Sequence, residues 1–370
     1  MAQSFERKSI IFLVNKLTVS NGISCVLVNL CNVLSAEGYE VTVAPLYEVE
    51  PDAAARLDDS VCVKKAFGLN FRGFNRLVRL IPARLLYNWI IHGNYDIEVA
   101  FQCDNPTRIV GVSNNKEAVH VTWMHCYDYC EEFHRSDSVV CVANACAARL
   151  RNEHGLANAT CSYNIVDSDF VIRQAGEPSG ITWGAAPRLV SVGRLSPEKG
   201  YVALMHALSA LRRDGIEFRF VLVGDGPERR SIEDTVRKLG LGDAVTLVGE
   251  QTNPHKYTIE AELFVCSSTR EGYSTACTEA AILGVPILTT DVYGGQEVVD
   301  ECGCGLVVEA TEQGLKEGLR VALTSPGLLK SWKQTLSETK ESFTSAERGK
   351  AALKLFDQFS HLSDQKAKRA

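Results

Sequence analysis

Ile10-Ile-Phe-Leu-Val14, Thr18-Val-Ser-Asn-Gly22 and Tyr39-Glu-Val-Thr-Val-Ala44 decide how the start of this chain folds. The first is a continuous apolar run that reads as a strand, and the second is a polar, glycine-containing loop. Between loop and third segment, Val26, Leu27, Leu30, Val33 and Leu34 recur at helical spacing, and Gly38 ends that helix. Tyr39 to Ala44 alternates as a second strand. Strand, helix and strand in this order build a parallel, doubly wound sheet.

The same grammar recurs in the second half. Arg188–Val192, Phe218–Val223, Val245–Val248, Leu263–Cys266, Pro286–Thr290 and Leu306–Val308 are predicted strands, and Tyr201–Arg213, Glu228–Leu239 and a segment near Thr275–Leu283 are predicted helices. Strands alternating with helices of this length imply a second parallel sheet covered on both faces. The Gly-, Pro- and Ser-rich Gln174-Ala-Gly-Glu-Pro-Ser-Gly180 between the halves reads as a linker. The expected domains are 1–172, a linker at 173–185, 186–345, and a last helical segment at 346–370 whose polar end, beyond Phe359, frays.

Size and composition agree with two domains. The chain has 370 residues, 45% of them hydrophobic, enough for two cores. Lys and Arg total 39 against 45 Asp and Glu, a net charge of -6 that disfavours an unspecific nucleic-acid binder. No apolar run reaches membrane-spanning length, and Ile10–Val14 is too short for a signal-peptide core, so the chain reads as cytoplasmic. Its 13 cysteines are scattered without CxxC pairs, as expected of buried thiols in a reducing compartment.

The chemistry concentrates between residues 191 and 288. Glu271-Gly-Tyr-Ser-Thr-Ala-Cys-Thr-Glu279 places two carboxylates eight residues apart, one before a predicted helix and one inside it. A Gly/Ser/Thr-rich turn entering a helix offers N–H groups to phosphate oxygens, and a carboxylate accepts hydrogen bonds from two vicinal hydroxyls, as on a sugar. Ser191-Val-Gly-Arg194-Leu-Ser-Pro-Glu-Lys199-Gly200 sets two cations in a loop directly after a strand, at the edge where open α/β sheets bind ligands. Such cations neutralise a diphosphate. Gly224-Asp-Gly-Pro227 follows the next strand; its glycines permit close approach of a ligand or of neighbouring loops, and it is not a GxGxxG nicotinamide motif.

In order, Val-Gly-Arg-x4-Lys-Gly, Val-Gly-Asp-Gly-Pro, Val-x-Leu-x-Gly, Glu-x7-Glu and Gly-x-Pro-Ile-Leu resemble the GT-B glycosyltransferases of the family 4 type over about residues 188–300. Ser20-Asn21-Gly22, Trp123-Met-His125 and Asn164-Ile-Val-Asp167 stand where that family has its N-terminal landmarks, with Asn21-Gly22 replacing a usual pair of glycines. The resemblance implies two Rossmann-like domains facing a cleft, the last helix returning to the first domain, and a retaining transfer of a hexosyl group. It also implies a nucleotide-diphosphate sugar as donor, UDP favoured on family frequency, and as acceptor a glycan or lipid-linked glycan of cell-surface polysaccharide or glycolipid synthesis. It assigns Arg194 and Lys199 to the diphosphate, Glu279 to the ribose, Glu271 to the donor sugar, Ser274 and Thr275 to phosphate through their N–H groups, and His125 to the reacting sugar. It further sets Gly22, Gly193, Gly224, Gly249 and Glu250 along the donor, and it requires no metal.

Other readings compete at single motifs. His125, Cys126, Cys130 and His134 form an H-C-x3-C-x3-H cluster that lacks the second distant pair of a zinc site. Asp167-Ser168-Asp169 is a D-x-D of the kind that holds a divalent ion in GT-A enzymes, yet short acidic turns are common. From Lys64 to Tyr95 six cations, Lys64, Lys65, Arg72, Arg76, Arg79 and Arg84, occur with no acid, among Phe71, Phe74, Leu77, Leu80 and Trp89. This segment reads either as a solvated domain face or as a contact with an anionic membrane on the inner face of the plasma membrane, and Pro82 breaks it. An epimerase, a phosphorylase and an inactive nucleotide-binding module are the rival functions; nucleotide release with and without acceptor separates them.

Overall fold

A computed structural model describes residues 8–19, 21–68, 71, 73–125 and 129–369. Two compact units emerge, one up to Ile165 together with Arg348 onward, the other Val166–Glu347. In the first, β1 (Ser9–Leu17), β2 (Glu40–Val49), β3 (Cys62–Val63), β4 (Ile97–Ala100), β5 (Val119–Met124), β6 (Ser138–Cys141) and β7 (Ala159–Cys161) form one sheet of order 3-2-1-4-5-6-7. In the second, β8 (Arg188–Val192), β9 (Arg219–Val223), β10 (Val245–Gly249), β11 (Leu263–Cys266), β12 (Ile287–Thr290) and β13 (Leu306–Val308) follow the order 10-9-8-11-12-13. Every pairing in both sheets is parallel. The order reverses between β1 and β4 and again between β8 and β11, so each sheet opens a ligand crevice at the carboxyl ends of those strands.

The strands fold as read because their runs are apolar on both faces: Ile10 to Val14 and Leu263 to Cys266 are buried throughout. The expected strand at Tyr39–Ala44 begins at Glu40 and runs on to Val49, since Leu46 and Tyr47 continue its buried pattern. In the second unit, Leu204, Leu208 and Leu211 of helix Tyr201–Arg213 join Phe218, Phe220 and Leu222 in one core.

Two boundaries differ from expectation. Residues 173–185 are folded rather than a free linker: helix Ser168–Ala175 belongs to the second unit, Trp183 is buried, and both the Trp183 indole and the Ser179 backbone donate to the Glu260 carboxylate. The chain end is ordered helix where fraying is expected. Helix Ser345–Ala367 continues because Lys366 Nζ reaches Asp137 Oδ2 at 2.5 Å and the Ala118 carbonyl at 2.8 Å. Further back, Phe356 packs its ring on Phe12 at 6.1 Å and on Trp123 at 6.2 Å.

Candidate active site

The carboxyl ends of β8 to β11 are bound to one another by backbone. Gly193 N donates to Val223 O at 3.0 Å, Gly224 N to Gly249 O at 2.8 Å, and Leu195 N to Asp225 O at 2.9 Å. Gly224 has φ +138°, and a Cβ there would lie 2.0 Å from the Gly193 carbonyl oxygen. Gly200, at φ +67°, would meet the Ser267 carbonyl at 2.2 Å. Both glycines are therefore demanded by neighbouring loops. The sequence left Gly224 open between ligand and loop; its packing accounts for it without a ligand.

This seam fixes the loop that carries the two cations. Arg194 is exposed. Lys199 closes the short 3-10 helix Pro197–Lys199, and its carbonyl accepts from Ser267 Oγ at 2.8 Å. Its ammonium meets Glu271 Oε2 at 2.5 Å, both side chains being about one-quarter to one-fifth exposed. Burial works against the Lys199 charge, but the Glu271 carboxylate outweighs it and the net displacement is upward, so the ammonium persists at neutral pH. Ser268 Oγ donates to the same Glu271 oxygen at 3.2 Å. Ser268 escaped the sequence reading; its only signal there is a small hydroxyl residue two positions beyond a predicted strand.

Helix Thr275–Ile282 starts beside this pair. Ser274 is its N-cap, accepting from Cys277 N at 3.3 Å, which leaves the Thr275 end of the helix as the positive terminus the sequence predicts. Glu279 lies on the following turn and is about a quarter exposed. Loss of hydration nonetheless pushes its carboxyl up to about 7. His255 Nδ1 is 3.9 Å from Glu279 Oε2, but burial pushes the imidazole down to about 4, so both groups are neutral at pH 6 and the contact is no ion pair. His255, in the short helix His255–Thr258, is a second residue that the sequence did not single out. Gly249, at φ +77°, ends β10, and the exposed Glu250 follows it.

The Glu279 displacement has a measurable sign. A carboxyl raised in the folded state favours the protonated form, so its contribution is complete below about 4.5 and is lost as pH rises through about 7. Glu279→Gln is expected to match wild type in stability near pH 4.5 and to exceed it by up to about 3 kcal/mol above pH 7. Urea unfolding at both pH values checks this; a variant equally stable relative to wild type across the range removes the buried-carboxyl reading.

In the first unit, Asn21 caps helix Gly22–Ala36, its side chain accepting from Ile23 N, with Gly22 as the first helical residue. The His125 ring lies 4.7 Å from that of Phe101, and its Nε2 is buried without a hydrogen-bond partner among the described residues. Burial, only partly offset by a hydrogen bond with the Phe101 backbone, holds the imidazole down at about 4 and therefore neutral. At the carboxyl edge of the first sheet is a cavity of about 480 Å³ lined in part by Asn15, Asn21, Tyr47 and Gln102.

The competing motifs resolve differently. Asp167 caps helix Ser168–Ala175 through Phe170 N at 2.9 Å, which explains the D-x-D as a helix start. Cys126 lies outside the described residues, and His134 meets Tyr129 OH at 3.2 Å. Among the described residues no group of three or more His, Cys, Asp or Glu is disposed to hold a metal ion. Of the basic segment, Arg72 lies outside the described residues. Arg79 is not free for another anion: its Nε donates to Asp104 Oδ1 at 2.6 Å. Arg84 is exposed and donates to the Val112 carbonyl at 3.3 Å, and Arg76 is exposed.

Residues 184–338, all within the second unit, match the family model of glycosyl transferases group 1. Over this stretch the chain is similar to the group 1 glycosyl transferases. It is 27% identical over 194 residues to the N-acetylgalactosamine-N,N'-diacetylbacillosaminyl-diphospho-undecaprenol 4-alpha-N-acetylgalactosaminyltransferase of Campylobacter jejuni, covering 52% of each chain. It is 30% identical over 171 residues to the lipopolysaccharide core biosynthesis glycosyltransferase LpsD of Rhizobium meliloti, covering 46% of this chain and 49% of that one. The chain thus spans about half the length of the curated relatives it matches. Over the whole chain the fold is GT-B. A crystal structure of Anabaena HepE in complex with UDP and glucose superposes with a TM-score of 0.71 at 15% identity, covering 95% of this chain and 100% of that one.

Proposed function

We propose that this chain is a group 1 glycosyl transferase that moves a hexosyl group from a nucleotide-diphosphate sugar to a hydroxyl of a glycan or lipid-linked glycan, with retention of configuration. The observation that carries the reading is the Lys199–Glu271 pair, 2.5 Å apart, beside the N-terminus of helix Thr275–Ile282. One cation, one carboxylate and a row of N–H groups at a switch point suit a diphosphate joined to a hydroxyl-rich sugar. Arg194 adds a second cation to the diphosphate, and Glu279 accepts from the ribose. Charge developing on the leaving diphosphate is met by Lys199, Arg194 and the helix terminus, with no metal required. UDP is the nucleotide favoured, in line with the UDP bound to HepE. A lipid-linked acceptor accords with the diphospho-undecaprenol in the name of the Campylobacter relative.

Such an acceptor is met at a membrane surface, and no helix among the described residues is long and apolar enough to cross one. The first unit exposes Leu80 at 80%, Leu85 at 60%, Trp89 at 56% and Leu77 at 51%, next to Arg76 and Arg84. An apolar apron with cations suits an anionic leaflet, such as the inner face of a plasma membrane.

One assay tests the reading. The protein is incubated with UDP-sugars in excess EDTA, with soluble and liposome-borne lipid-linked glycans. UDP release that depends on acceptor, a product keeping the donor's anomeric configuration by NMR, and salt-sensitive liposome binding weakened by Arg76→Glu with Arg84→Glu are expected. Failure in EDTA with rescue by manganese, or an inverted product, overturns the mechanism; liposomes ignored at low salt overturn the membrane contact.

A further inference from the structure

Two buried thiols behind the candidate site have no part in the transfer chemistry. Cys266 is the last residue of β11, and Cys277 lies in the first turn of helix Thr275–Ile282, whose N–H groups are proposed to hold the diphosphate. The Cys277 thiol is hydrogen-bonded to the Cys266 sulfur. Cys266 Sγ in turn donates to Ser268 Oγ at 3.6 Å, and Ser268 Oγ donates to Glu271 Oε2 at 3.2 Å, the oxygen that Lys199 holds. One chain of donors therefore runs from the dithiol to the Lys199–Glu271 pair.

The surroundings make one sulfur the nucleophile. Cys266 is 7% exposed and Cys277 1%, so an oxidant reaches Cys266 first. The hydrogen bond from Cys277, joined by the Lys199 charge and the Ser268 hydroxyl, outweighs burial and the Glu271 charge and draws the Cys266 thiol down to about 6, while the Cys277 thiol is pushed up. Thiolate rather than thiol attacks an oxidant. The sulfur that would resolve the product is already in contact.

We propose that Cys266 and Cys277 are a redox-sensitive dithiol that closes to a disulfide and in doing so loosens the Lys199–Glu271 pair. With hydrogen peroxide as oxidant, the Cys266 thiolate attacks one peroxide oxygen and becomes a sulfenic acid, while the other oxygen leaves as hydroxide and takes up a proton. The Cys277 sulfur then attacks the Cys266 sulfur, the S–OH bond breaks, and the hydroxide leaves as water with the Cys277 proton. Two thiols are oxidised and one peroxide is reduced to two waters. Closing the bond draws the sulfurs well inside hydrogen-bonding distance, which pulls the first turn of the helix towards β11 and takes the Cys266 donor from Ser268. That the disulfide slows transfer rests on the glycosyl-transfer reading; that it forms does not.

Peroxide titration of the reduced full chain tests this, read by peptide mass spectrometry after alkylation of the remaining thiols, by hydrogen exchange over residues 267–282, and by UDP-sugar turnover. A Cys266–Cys277 cross-link that dithiothreitol reverses is expected, with exchange at least about fivefold faster and turnover at least about tenfold lower, both recovered on reduction. Cys277→Ala, and Cys266→Ser, which keeps a donor for Ser268, are expected to turn over like the reduced wild type and to escape the reversible inhibition. Circular dichroism verifies their fold, and the wild-type peptide map decides alone if neither folds. The proposal is overturned if both thiols stay free, or stop at the sulfinic stage, while the exposed Cys62 is oxidised. It is overturned equally if the cross-link leaves exchange or an active enzyme's turnover unchanged, or if Cys277→Ala is inhibited as reversibly as wild type. A reduced wild type that turns over no UDP-sugar sinks the transfer reading instead, and the peptide map and exchange then decide the dithiol.

Discussion

Lys199→Ala is expected to lower glycosyl-transfer turnover by at least about a hundredfold, the usual loss when one charge-stabilising contact disappears from a site shielded from water. The side chain is three-quarters buried and its ammonium is already held 2.5 Å from Glu271, so no conformational search precedes its action on a diphosphate. Removing it has a second effect. Glu271 keeps the Ser268 hydroxyl at 3.2 Å and loses the cation that fixes its orientation. The two residues act as one unit, so Lys199→Ala, Glu271→Ala and the double variant are expected to be strongly non-additive, the double losing little more than the worse single. Steady-state kinetics on the three variants decides it. Near-native turnover in Lys199→Ala, or simple additivity, removes the pair from the chemistry.

The second large effect is on stability. Gly224→Ala puts a methyl 2.0 Å from the Gly193 carbonyl oxygen at φ +138°, where an L side chain is strained before any neighbour is counted. Relief by moving Gly193 breaks its hydrogen bond to Val223, and relief by moving Gly224 breaks the one to Gly249. A loss of at least about 3 kcal/mol is expected, among the larger single-substitution effects. Gly242→Ala, with open space around it, is the control and is expected to fall within about 0.5 kcal/mol of wild type. Urea midpoints compare them. A Gly224→Ala protein as stable as the control means that the loops part without cost.

Fold class and strand positions were legible because parallel strands buried on both faces leave unbroken apolar runs. Arg188–Val192 and Leu263–Cys266 were read to the residue. The chain end escapes a local reading because Ser363 and Lys366 are polar in sequence yet find partners just ahead of strands more than two hundred residues earlier, Lys366 on Asp137 before β6 and Ser363 near Asp96 before β4. The same non-locality hid Trp183 and Glu260, whose hydrogen bond turns an apparent linker into part of the second unit. At the candidate site, Lys199 and Glu271 were visible as motif residues, but their mutual contact was not, since one follows β8 and the other β11. Asn15 and Gln102 gave no signal as cavity residues: one lies in β1 and the other two residues beyond β4, and they come together only after the sheet assembles.

The last helix also governs how this protein is made. The face of the first sheet that Phe356 covers, with Phe12 and Trp123, is synthesised early, while its cover lies beyond all of residues 166–347. At about 5–20 residues per second, translation leaves that face waiting for roughly ten to forty seconds. A nascent chain in that interval is a natural client for a holdase chaperone, and any stall or cleavage before Arg348 releases a first unit with its apolar seam open.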